Sequence, residues 1–81
     1  MPAPAEGLRL AYGLTAAEAR TAAALLDHSQ LAEIAAALGV SLATVRTLLQ
    51  RAFDKTGTHT QAELVRLMLA RRLPAGPPSG G

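Results

Sequence analysis

The stretch LAEIAAALGVSLATV, residues 31–45, decides the fold of this 81-residue chain. Apolar residues recur from Ala32 to Leu38 at the spacing of one helix face. Gly39 follows at the position where a helix ends in the left-handed conformation, which glycine adopts without strain. Ser41 then offers its hydroxyl as an N-cap to a second helix. The stretch therefore predicts two helices joined by a tight turn.

Capping boxes mark two further helices, one on each side of this pair. Thr15 and Glu18 have the S/T-x-x-E spacing in which each side chain accepts a hydrogen bond from the other residue's backbone. Thr60 and Glu63 repeat that spacing. No stretch alternates apolar and polar residues as a half-buried strand would. The sequence predicts an all-α fold of four helices, at about 16–26, 30–38, 42–56 and 61–72.

The four helices define a single domain over residues 14–72. Residues 1–13 carry few structural signals, so we expect this N-terminal segment to be weakly structured. Residues 73–81 contain three prolines and three glycines, a composition that predicts a disordered tail.

Composition argues against several kinds of site. The chain has no cysteine, which excludes a disulfide, a zinc–thiolate site and a thiol nucleophile. His28 and His59 are far apart and lie in predicted loops, so we expect no metal site. No apolar run approaches ~20 residues, so we expect no membrane span.

Catalysis and export have no sequence signal either. The sequence offers neither a nucleophile–base pair nor a glycine-rich phosphate loop, so we expect neither an enzyme nor a cofactor. Met1 is followed by no basic flank and no apolar signal core, which favours a cytoplasmic protein.

The helix pair at 31–45 follows the helix-turn-helix pattern. Ala35 is small where the two helices must cross, Gly39 permits the turn, and Val45 holds the second helix from inside. A helix held at such an angle can enter the major groove of DNA, which is ~12 Å wide, and bring its first turns to the base edges. Helix 42–56 is therefore the predicted recognition helix.

Six short motifs extend this pattern along the chain. They are LTAAE (14–18), EIA (33–35), LGVS (38–41), TVRT (44–47), FDKTG (53–57) and QAELV (61–65). Their order and spacing resemble the LuxR-type (GerE/NarL-like) DNA-binding domain over about residues 14–70. The resemblance is more specific than a generic helix-turn-helix, because the Lys-x-Gly after the third helix and the fourth-helix motif are both present.

The resemblance implies three base-reading residues. In that family, bases are read by the residue after Thr-Val, by the next residue and by one three positions further on. These are Arg46, Thr47 and Gln50 here. Their chemistry fits that role: arginine bonds bidentately to guanine, glutamine to adenine, and a threonine methyl can meet a thymine methyl.

Phosphate contacts are expected around the same helix. Arg51 and Lys55 lie further along it, where the DNA backbone would pass, although the two could instead be ordinary surface charges at the helix end. Thr44, Gln30 and Thr60 lie at or near helix N-termini, where hydroxyl, amide and backbone N–H groups favour an anion.

The charge is unevenly distributed along the chain. Residues 1–40 hold two basic residues against four acidic ones, and residues 41–81 hold six against two. The positive half contains the predicted recognition helix, which favours an anionic partner such as DNA.

Some positions depart from the LuxR-type pattern. Leu48 stands where histidine is common, and we expect it to pack. Ala17 and Ala32 replace frequent basic residues, which removes two phosphate contacts. His28 replaces a common glycine.

Helix 61–72 predicts a dimer. Its apolar residues cover more than the ~100° stripe that a single core contact uses. The resemblance assigns the dimer contact to this helix, and we expect a two-fold interface through Leu64, Leu67, Met68 and Arg71. The alternative is that a thin, alanine-rich core needs all of these side chains.

The predicted function is sequence-specific binding of double-stranded DNA by a homodimer at an inverted repeat, in order to regulate transcription. We expect a stand-alone small regulator rather than a fragment. Two alternatives stay open: a protein-interaction module that docks on RNA polymerase or another regulator, and a promoter-binding domain like sigma-factor region 4.

Overall fold

The computed structural model describes the backbone of residues 6–72 and the side chains of residues 6–70. Within this part of the chain there are five α-helices and no strand, so the predicted all-α fold is confirmed. The helices are α1 (Glu6–Tyr12), α2 (Ala16–Ala24), α3 (Leu31–Leu38), α4 (Leu42–Thr56) and α5 (Gln61–Arg72). The predicted tail, 73–81, lies outside the described residues.

Both predicted capping boxes are present. At the start of α2, the backbone N–H of Thr15 donates to Glu18 Oε1 over 2.9 Å, and that of Glu18 donates to Thr15 Oγ1 over 3.1 Å. Thr60 and Glu63 make the same reciprocal pair before α5, at 3.1 Å each way. Each pair satisfies backbone donors that a helix start leaves without partners.

Glycines end both α3 and α4. Gly39 has φ 69° and Gly57 has φ 73°, the left-handed conformation in which other residues are strained. After Gly39, the Ser41 hydroxyl accepts the backbone N–H of Thr44 at 3.1 Å and starts α4. The axes of α3 and α4 consequently meet at 105°, within the range of a helix-turn-helix pair.

Helix α1 differs from the expectation for residues 1–13. The sequence predicted a weakly structured segment, but Glu6–Tyr12 is helical and its Leu8 is fully buried. A seven-residue helix has little stability of its own, so packing against α2 and α5 must stabilise it. No capping signal precedes it, which is why α1 could not be predicted from the sequence.

The core lies between all five helices, with α4 packed across α2 and α3. Its larger buried side chains are Leu8, Leu14, Leu25, Ile34, Val45, Leu49, Leu64 and Met68. Alanines complete it at the crossings, and the small Ala35 is buried as the sequence predicted. Small side chains let helix backbones approach closely, but each of them buries little apolar area and so adds little stability.

The predicted dimer interface needs a correction. Leu64 and Met68 are both 0% exposed, because they fill the core beneath α1 and α2. Leu67 is half-buried against the same core, and the Arg71 side chain lies outside the described residues. The alanine-rich core therefore uses Leu64 and Met68, two of the four residues that the sequence assigned to a partner.

Within the described residues, no single helix is long and apolar enough to cross a membrane. Only α3 and α4 taken together pass that test, by length and composition alone, and they are sharply bent at the turn.

Candidate nucleic-acid interface

Helix α4 has one buried face and one exposed polar face. Val45, Leu49 and Ala52 are between 0% and 3% exposed, and they anchor the helix to the core. The polar face carries the three predicted base contacts and one predicted phosphate contact, all of them exposed: Arg46, Thr47, Gln50 and Arg51. The fold thus brings these four side chains together on one solvent-facing surface.

The turn before α4 determines how this surface is presented. With α3 and α4 at 105°, α4 keeps one face on the core through Val45 and Leu49 and leaves its polar face in solvent. An α-helix with its side chains is roughly 10–12 Å across, which matches the width of the DNA major groove. The polar face of α4 can therefore be inserted into that groove without rearrangement of the backbone.

Gln50 is held by a neighbour that the sequence analysis did not single out. Its Nε2 donates to Asp54 Oδ1 over 3.0 Å, between residues one helical turn apart. The amide keeps Oε1 as an acceptor and a second N–H as a donor, the pair of groups that an adenine edge requires. The i, i+4 spacing of a glutamine and an aspartate was the signal for this contact.

Arg51 borders a shallow depression on α4. The other residues that line it are Ala43, Thr44, Thr47 and Leu48. Leu48 is half-buried, in keeping with the packing role expected from the sequence. Since no acidic side chain lines the depression, its local charge is positive.

The three residues predicted at helix N-termini are all exposed, but they differ in their bonding. Thr44 shares a 2.9 Å hydrogen bond with the Ser41 hydroxyl. Thr60 accepts from its own helix. Gln30 occupies the N-cap position of α3, and its side chain makes no capping bond. Of the three, only Gln30 therefore has a side chain that makes no hydrogen bond at its helix start.

Lys55 requires a correction, because the structure gives it a partner inside the protein. Its Nζ lies 2.7 Å from Glu18 Oε1 and 3.3 Å from the Gly13 carbonyl oxygen. The Glu18 residue is only 1% exposed. The ammonium is already neutralised by a buried carboxylate, so we no longer assign Lys55 to a phosphate.

The ionised form of Glu18 is stabilised by its neighbours. The Lys55 ammonium, followed by the backbone N–H of Thr15, lowers the pKa of the carboxyl, although burial acts in the opposite direction. Sequence analysis found the capping role of Glu18 but missed its ion pair. The pair joins the first turn of α2 to the last turns of α4, and so fixes the recognition helix on the domain.

The two histidines do not form a site. His28 Nδ1 lies 4.0 Å from Glu33 Oε1 on a partly exposed surface. No group of three or more potential metal ligands occurs among the residues that the structure describes.

Comparison with known families agrees with this geometry. The family model described as "Sigma-70, region 4" matches residues 23–55, from the end of α2 through α3 and the turn to the last residues of α4. No curated protein and no solved structure matches the chain. The match supports a helix-turn-helix but not specifically the LuxR type. The match indicates a helix-turn-helix DNA-binding domain at these residues.

Proposed function

We propose that this domain binds double-stranded DNA in a sequence-specific manner, with α4 in the major groove, and regulates transcription in the cytoplasm. The observation that carries the proposal is the exposed polar face of α4, held at 105° to α3. Arg46 would bond to guanine and Gln50 to adenine, and the Thr47 methyl would contact thymine.

The bond between Gln50 and Asp54 supports a base-reading role rather than simple solvation. A free glutamine side chain loses rotamer entropy when it binds a base edge. The 3.0 Å bond to Asp54 already restricts that freedom. Gln50 would therefore meet its base at a lower entropic cost.

Replacement of Arg46 by alanine tests base reading. We expect Arg46→Ala to weaken binding to the preferred duplex by about 1–3 kcal/mol, and binding to unrelated duplexes much less. The preferred duplex is first selected from a random pool, and affinities are then measured by fluorescence anisotropy.

Arg66→Ala is the matched control, because Arg66 is an exposed arginine of α5 that lines a pocket with Thr56, at the far end of α4 from Arg46. Equal affinity of wild type and Arg46→Ala for the selected duplex would contradict the assignment of Arg46. Failure of the wild type to bind any duplex at low salt would reject the DNA-binding function.

We also propose that the domain acts as a homodimer, now through the outer face of α5. Leu69 is 43% exposed, and with Val65 it borders a groove that reaches Leu26 and Leu38. Two-fold pairing of this face would bury that apolar surface. It would also double the number of phosphate contacts. A small domain of modest charge makes few such contacts alone, so a dimer would bind DNA more tightly.

Replacement of Leu69 by aspartate tests the dimer. We expect Leu69→Asp to sediment as a monomer at micromolar concentration and to bind an inverted repeat no better than a single half-site. Leu10→Asp is the control, since Leu10 is an apolar residue of α1 that is 73% exposed. A wild-type protein that stays monomeric both free and on DNA would remove the dimer from the proposal.

A second candidate function is a promoter-binding domain like sigma-factor region 4, which would act as a monomer and contact RNA polymerase. The match to the "Sigma-70, region 4" family over residues 23–55 favours it. The selected DNA discriminates between the two candidates: a dimeric regulator enriches an inverted repeat, whereas a sigma-like domain enriches one asymmetric site. Retention of purified RNA polymerase on the immobilised domain would add support to the second.

A further inference from the structure

The positive charge near α4 depends on few residues. Among the described cations, Arg9 pairs with Glu6, and Lys55 pairs with Glu18. Arg20, Arg46 and Arg51 form no ion pair with any described residue. Arg46 and Arg51 belong to α4, whereas Arg20 lies on α2 and was assigned no role by the sequence.

Arg20 lies beside the recognition helix in space. With Ala17 and Thr21 of α2, it lines a narrow crevice, and the opposite side of that crevice is formed by Leu38, Val40 and Leu48. Leu48 also lines the depression that Arg51 borders. Leu48 therefore joins the depression and the crevice into one surface, which Arg51 and Arg20 both line.

This surface suits a phosphodiester chain. Alanine, threonine, leucine and valine side chains line it together with Arg20 and Arg51, and no acidic side chain lines either the crevice or the depression. A helix in the major groove has one DNA strand along each side. The strand on the α2 side of α4 would pass Arg20, which lines the crevice beside Leu48. Lys55 on that side is already bound to Glu18.

We infer that Arg20 binds a backbone phosphate of this strand and sets the position of α4 in the groove. The inference rests on the proposed function and adds α2 to the DNA-binding surface. Such a contact carries no sequence information, since phosphates are the same at every base pair. It adds to affinity for every duplex, and the gain depends on salt because binding releases a condensed counterion.

Replacement of Arg20 by glutamine tests the inference on the full chain. We expect the magnitude of the negative slope of log K against log salt to decrease by about 0.9 per protomer, and affinity at 0.15 M salt to fall about five-fold for every duplex. Arg20→Lys keeps the charge and should retain the wild-type slope. Arg66→Gln should also retain it, because Arg66 lies outside this surface.

Arg20 also borders the groove beside Leu69, so the oligomeric state of Arg20→Gln is measured by sedimentation. A smaller slope with an unchanged oligomeric state supports the inference. A wild-type slope in Arg20→Gln, or a changed base preference, overturns it, and the proposed function then stands if Arg46→Ala still loses specific binding. If wild-type protein binds no duplex, both fail together.

Discussion

Replacing Leu64 with alanine is expected to lower the free energy of unfolding by about 2–5 kcal/mol, the range measured when a buried leucine is truncated. Leu64 is 0% exposed and lies in the core that α5 shares with α1 and α2. The cost combines the lost transfer free energy of the removed methyl groups with the cavity that remains. In a domain this small, such a loss is a large part of the total stability. Urea denaturation followed by circular dichroism measures it.

Leu69→Ala is the matched control, because it makes the same chemical change on the same helix at a 43% exposed position. We expect it to change the stability of the monomer by less than about 0.5 kcal/mol. The pair of variants separates core residues from interface residues on α5. If Leu64→Ala left stability unchanged but abolished a dimer, the interface first predicted from the sequence would be right and the burial of Leu64 wrong.

Lys55→Met is expected to lower the free energy of unfolding by about 1–3 kcal/mol at neutral pH, because it leaves a buried carboxylate without its cation. Methionine keeps the apolar stem of the lysine, so the loss reports the ammonium group. We place the value below that of a fully buried ion pair, since the Lys55 side chain is 36% exposed. Thermal and urea denaturation at pH 7 measure the change.

Two further variants make the result specific to the ion pair. Arg51→Met removes an exposed cation of the same helix that has no carboxylate partner, and we expect it to leave stability nearly unchanged. The double variant Glu18→Gln/Lys55→Met should lose less than the sum of the two single losses. Strict additivity would show that Glu18 and Lys55 do not interact.

The same ion pair predicts how stability depends on pH. The pKa of Glu18 in the folded protein lies below its ordinary value of 4.5, mainly because Lys55 donates to the carboxylate. In acid the unfolded chain therefore takes up this proton before the folded chain does. The contribution of Glu18 is complete above its ordinary pKa, and it is lost as the pH falls through the lower, folded value.

Acid titration of the variants checks whether the contribution of Glu18 to stability is lost as the pH falls. Glu18→Gln should be less stable than wild type at pH 7 and should lose less stability between pH 7 and acid. Some loss will remain, because backbone N–H groups of His59 and Thr60 lower the pKa of Glu63 as well. Lys55→Met should likewise lose less stability than wild type between pH 7 and acid, because the carboxyl no longer has the main group that lowers its pKa. An acid transition that is the same in all three proteins would contradict the link.

The helix ends were predictable because short-range contacts determine them. The capping box of Thr15 and Glu18 joins residues three apart, and the Ser41 cap spans the same distance. Gly39 ends α3 by its own backbone conformation. A sequence read in windows of a few residues contains all of this information, and so it predicted four of the five helices closely.

The exposed face of α4 was predictable for a related reason. Val45, Leu49 and Ala52 repeat at the helical period, and burial of that stripe leaves Arg46 and Gln50 in solvent. Periodicity thus predicted which face of α4 is exposed, and the resemblance to the LuxR-type domain implied that this face reads DNA. Neither could show that Arg20, from another helix, lies beside it.

The sequence by itself determined where four helices begin and end, the turn at Gly39 and the polar face of α4. Only the tertiary structure decided that α1 forms, that Leu64 and Met68 fill the core, and that Lys55 binds Glu18. The physical reason is the distance along the chain. Caps and helix faces depend on residues within a turn or two, whereas the Lys55–Glu18 pair joins residues 37 positions apart. The partner of a side chain at that separation is fixed only when the helices pack.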